Sequence, residues 1–138
     1  MKKLLLVGLL SVFILGLVSC GGGDAKSVLR DYINSMKSFG EDMNSADNAA
    51  EVAKALNDYS DNMESLIPKM KALSDKYPEL KKMGSNSKLP EEFKEFETEM
   101  QEVATKMMGA FMKMSKYAAD PKVAEANKRF MKTMQGLK

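Results

Sequence analysis

One pattern governs most of this chain: apolar side chains recur at steps of three and four, and no stretch alternates with period two. Steps of three and four line up on one face of an α-helix, whereas a half-buried strand needs strict alternation. The longest such stripe runs Val52, Leu56, Tyr59, Met63, Leu66, Met70, Leu73, Tyr77, and it passes Pro68 without losing phase. Proline removes a backbone donor and ordinarily kinks or ends a helix. The unbroken phase therefore predicts one continuous, kinked helix over about 48–77, with Pro68 on its outer face.

Three further stripes have the same character. Leu29, Tyr32, Met36, Phe39 and Met43 predict a helix over about 24–45, followed by Asp47 as the cap of the next. Pro78 and the run Gly84-Ser85-Asn86-Ser87 mark a break, after which a helix starting near Pro90 carries Phe93, Phe96, Met100, Val103, Met107, Ala110, Met114 and Tyr117. Asp120-Pro121 is a cap followed by proline at the first helical position, and opens a helix with Val123, Phe130, Met134 and Leu137, interrupted by Asn127. Four amphipathic helices with short links predict an all-α, up-and-down four-helix bundle, with two long central helices and two shorter flanking ones. If helices two and three form the long hairpin, helix one covers helix two and helix four covers helix three from the same end. The other end, around Leu73, Tyr77, Leu80, Met83, Phe93 and Phe96, then holds apolar residues with few neighbours. That end is the candidate binding surface, because exposed apolar patches mark contacts.

The first residues read differently. Met1-Lys2-Lys3 is basic and Leu4–Val18 is almost wholly apolar, too short for the roughly 20 residues of a membrane span but suited to a secretion signal. The run ends in Leu17-Val18-Ser19-Cys20. This resembles the lipobox of bacterial lipoproteins. The resemblance implies diacylglyceryl transfer to the Cys20 sulfur, cleavage before Cys20, acylation of the new amine, and hence a membrane partner through Cys20. The expected organisation is a signal peptide over 1–19, a lipidated Cys with a Gly-rich tether over 20–24, and one helical domain over 25–138. Gly rather than Asp at position 21 is similar to lipoproteins sorted to the outer membrane, if the source is Gram-negative.

Composition narrows the chemistry. There is no His and no Trp, and Cys20 is the only Cys, so no disulfide forms within one chain and packing alone must stabilise the domain. Without His, imidazole bases and most zinc sites are excluded, and no metal or cofactor is expected. Lys2 and Lys3 account for the whole excess of 21 Lys and Arg over 19 Asp and Glu, so the rest of the chain is formally neutral. A nucleic-acid partner would call for a basic balance. The stripe Glu92, Glu95, Glu99, Glu102 turns basic at Lys106, Lys113 and Lys116, which complements a helix dipole rather than building a metal site. Most of the 13 methionines fall on core stripes, where a flexible thioether fills irregular space. Met108 and Met112 fall off the stripe, one turn apart, and are expected at the surface. The sequence thus points to a non-enzymatic, lipid-anchored envelope protein that binds or scaffolds a protein partner. The alternative is a carrier or sensor holding a small apolar ligand between Met-rich helices. The oligomeric state is left open.

Overall fold

The computed structural model describes residues 22–78, 80 and 89–137, with backbone alone for 22–24. The protein is an all-α four-helix bundle. Its helices are α1 (Gly22–Ser45), α2 (Ala49–Lys76), α3 (Glu97–Lys116) and α4 (Pro121–Gln135), with a 3-10 helix, Glu91–Phe96, leading into α3. Cys20 and Gly21 lie outside the described residues. Gly22–Asp24, read from the sequence as part of the tether, lie within α1.

Local chemistry accounts for the boundaries. Asn48 caps α2 by accepting the Glu51 N–H at 3.0 Å, and the Glu51 carboxylate accepts the Asp47 N–H at 2.7 Å. This exchange satisfies the free Glu51 donor of the first turn and the Asp47 donor just ahead of the cap. The cap is thus Asn48, one residue beyond the Asp47 expected from the sequence. Asp120 caps α4 by accepting the Lys122 N–H at 2.9 Å, with Pro121 in the first turn. Pro68 lies inside α2, exposed, and the helix runs on through it as its stripe predicts.

The four helices do not pair in the order the sequence suggested. The close pairs are α1 with α2, α1 with α3, and α2 with α4. The two central helices are the two longest, but they are α1 and α2 rather than α2 and α3. Glu95, just before α3, reaches Lys26 near the start of α1, and Lys113 near the end of α3 reaches Ala46 just past the end of α1. So α3 runs parallel to α1. Likewise Arg129 of α4 pairs with Asp61 and Glu64 of α2, and Gly136 after α4 approaches Ile67, so α4 runs parallel to α2. The connectivity remains up-and-down, with the second hairpin flanking the first.

A helix packed on two sides needs two interfaces, and small residues supply the second. A Cβ on Gly40 of α1 would stand 2.8 Å from the Cβ of Lys106 on α3. Glycine at this point lets the two backbones approach. On α2, Ala53 and Ser60 are buried beside the main stripe, and Ala126 of α4 is buried as well. Where α1, α2 and α4 meet, Phe39, Tyr59 and Phe130 form a three-ring cluster with centroids 4.6, 5.8 and 6.0 Å apart. These separations are the range in which ring pairs attract beyond their area burial. Met36, Met43 and Met63 lie inside the same core.

Candidate functional site

The end of the bundle where α1 begins and α2 ends was expected to be open. It is closed. Leu73, Phe93 and Phe96 are buried, Tyr77 and Leu80 are partly buried against the core, and Met83 lies outside the described residues. The segment 91–96 that covers it is wound as a 3-10 helix. At three residues per turn, side chains three apart eclipse one another. Phe93 and Phe96 therefore point the same way, into the bundle, and both are 0% exposed. Tyr77 meets Phe93 edge-on at 5.1 Å, Leu89 is buried nearby, and the Arg30 guanidinium lies 5.3 Å over the Phe96 ring. Lys26 and Arg30 approach the Glu95 carboxylate at 3.4 and 3.8 Å. The proposed surface of Leu73, Tyr77, Leu80, Phe93 and Phe96 is therefore a capped core.

The exposed apolar face lies elsewhere, on the outer side of α3. Met108 is 70% exposed, Met112 71% and Phe111 45%, and Met131 on α4 is 54% exposed. Met108 and Met112 are where their departure from the stripe put them. Phe111 joins them one turn on, which sequence reasoning missed. From Ala104 to Ser115 every exposed residue of α3 is uncharged: Ala104, Thr105, Met108, Phe111, Met112 and Ser115.

The charges of this stretch are turned toward α1. Lys106 pairs with Glu41, and its carbonyl accepts from Asn44 Nδ2 at 3.2 Å. The Lys113 ammonium donates to the Ala46 carbonyl at 2.5 Å, and the Tyr117 hydroxyl donates to the Asp47 carbonyl at 2.9 Å. α1 has no basic residue in its own last turn. Lys113 supplies that charge from the neighbouring helix, where the carbonyl end of the dipole favours it. The hydrogen bond from Lys106, with its charge, holds the Glu41 carboxyl below the usual range. Thus Lys106 and Lys113 reach α1 from a helix whose Val103 and Ala110 are buried, and Met108, Phe111 and Met112 are left facing outward. Methionine beside phenylalanine makes an adaptable, polarisable contact surface.

Other features give less. Burial raises the phenol pKa of Tyr32 and Tyr59, so both stay neutral. Arg129 is held by Asp61 and Glu64 beside an open depression lined by Lys54, Asn57, Lys122 and Glu125. Among the described residues, no three His, Cys, Asp or Glu side chains come together to hold a metal ion, and no helix is long and apolar enough to cross a membrane. Comparison with protein families, with curated proteins and with solved structures finds no match for this chain.

Proposed function

We propose that this protein is a lipid-anchored, non-enzymatic module of the bacterial envelope, and that it works by binding through the outer face of α3. The anchoring half of this reading rests on Leu17-Val18-Ser19-Cys20 at the end of an apolar run. Two or three acyl chains hold a protein stably where one holds it marginally. The binding half rests on one observation: Met108, Phe111 and Met112 stand together in solvent on a stretch whose other exposed residues are uncharged. Core methionines are consumed in packing against α1, α2 and α4, which favours a contact surface over an internal ligand cavity.

The anchor is tested by replacing its nucleophile. Cys20→Ala is expected to abolish fatty-acid labelling, to leave an unprocessed precursor, and to change the membrane fractionation of the chain. Normal labelling and cleavage of that variant would refute the anchoring half. The binding half is tested by Phe111→Glu in the full chain, which is expected to leave labelling intact and to abolish cross-links formed from this face in cells.

A further inference from the structure

We infer that the occupant of the α3 face is a second copy of this chain, packed antiparallel through α3 about a two-fold axis near Ala110. The inference rests on the binding role just proposed and names its partner. Three observations carry it. The uncharged stretch Ala104–Ser115 ends at Glu102 on one side and at Lys116 on the other, both exposed. Parallel pairing would set Glu102 against Glu102 and Lys116 against Lys116. Antiparallel pairing sets each Glu102 beside the Lys116 of the second copy, so this surface is complementary to itself in one orientation. Isologous contacts of this kind close a dimer and go no further.

The apolar residues obey the same symmetry. About an axis near Ala110, Met108 of one copy falls level with Met112 of the other, and Ser115 with Thr105. Phe111 lies next to the axis and meets its own counterpart. The cations that would otherwise repel across the contact are engaged within each copy, Lys106 by Glu41 and Lys113 by the Ala46 carbonyl. Three large apolar residues on one helix make a small contact, whereas stable interfaces bury roughly 1,200–2,000 Å². A weak contact becomes populated when both copies are confined to one surface, because tethering raises their effective concentration. Since α3 is parallel to α1, antiparallel pairing sends the two α1 N-termini to opposite ends of the dimer. Both anchors then reach one membrane only with the dimer lying flat on it.

The test uses the full chain in cells, with Met112→Cys, which leaves the Phe111 ring in place, and a short bifunctional maleimide. Ala72→Cys, exposed on α2, serves as the control. The expected result is a cross-linked species of twice the chain mass from Met112→Cys and none from Ala72→Cys. Adding Glu102→Lys to Met112→Cys is expected to reduce the doubled species at least several-fold, Lys116→Glu likewise, and the two together to restore it. A cross-linked species of any other mass overturns the second copy while leaving the binding role standing. A thiol at 112 that is neither cross-linked nor labelled by a water-soluble maleimide points to insertion of the face into lipid, and also overturns the inference. A thiol that labels freely and never cross-links overturns both readings. A doubled species that the double charge swap fails to restore overturns the antiparallel register.

Discussion

The capped end of the bundle and the outer face of α3 carry the same kind of side chain and meet opposite fates. Phe93 and Phe96 are wholly buried, while Phe111, fifteen residues on from Phe96, stands 45% exposed with Met108 and Met112 at about 70%. Hydrophobicity does not separate them. What separates them is the number of helices within reach. Phe93 and Phe96 precede α3 on a 3-10 turn that lies between the start of α1 and the end of α2. Among the described residues α3 has one close helical neighbour, α1, while α4 packs on α2. An apolar side chain on the far side of a helix with one close neighbour has nothing to bury it.

The largest expected effect tests the buried half of this comparison. Phe93→Ala removes a fully buried ring that Tyr77 meets edge-on, and is expected to destabilise the fold by about 3–5 kcal/mol, the usual range for Phe truncated in a core. Urea unfolding followed by circular dichroism measures it. A loss below about 1 kcal/mol, the scale of a surface substitution, would mean that this end is open after all.

The next effect sharpens the claim that α1 is central. Gly40→Ala drives a Cβ into the Cβ of Lys106, which sits at the root of its side chain and cannot swing aside. Overpacking of this kind costs about 1–3 kcal/mol. Gly109→Ala is the matched control: its Cβ meets only the end of the exposed Asn44 side chain, which can rotate away. The gain in helix propensity, about 1 kcal/mol, then roughly offsets the exposed hydrogen bond lost at Lys106. Equal losses in the two variants would show that α1 and α3 do not approach through Gly40.

These glycines also mark where the sequence was hard to read. The stripe on α2 was legible because its large residues keep one helical phase, and that phase survives through Pro68 in the structure. α1 was half legible: Leu29, Phe39 and Met43 announced one face, but Ile33 is buried off that stripe and Gly40 lies against Lys106 of α3. Small residues carry no hydrophobic period, so the pairing of α1 with α3 and of α2 with α4 left little trace. The capped end misled for a different reason. The sequence points to helices two and three as the central pair, which leaves this end with few neighbours, whereas α1 is central and its start lies against the 3-10 turn that carries Phe93 and Phe96. On α3, Met108 and Met112 stood out by leaving the stripe, but Phe111 adjoins Ala110 on it and gives no separate signal.

Pro68→Ala acts in the opposite direction and on neither region. Pro68 is exposed, inside α2, and supplies no N–H to the helix. Restoring that hydrogen bond is expected to stabilise the domain by about 1–3 kcal/mol, net of the added freedom of the unfolded chain. A rise in thermal midpoint with unchanged helical content at low temperature supports this. A fall would mean that the local geometry imposed by Pro68 is what fits α2 to its neighbours.

The smallest expected effect tests the exposed half of the comparison, and its smallness is the content of the prediction. Phe111→Ser takes an aromatic ring off a helix surface on which it is 45% exposed. The ring touches solvent on its outer side, so truncation opens no closed cavity. Serine is a slightly weaker helix former than the best residues, by a few tenths of a kcal/mol. The stability of dilute protein is therefore expected to change by about 0.5 kcal/mol or less, within the range of ordinary surface substitutions. The same variant is expected to remove most of the apolar contact available at this face. Stability measured at low concentration and association measured at high concentration must then separate: the first nearly unchanged, the second lost. If Phe111→Ser instead unfolds the dilute protein by several kcal/mol, the ring is part of the core. The contrast between the capped end and the outer face of α3 would then disappear, together with the reason to seek a partner there.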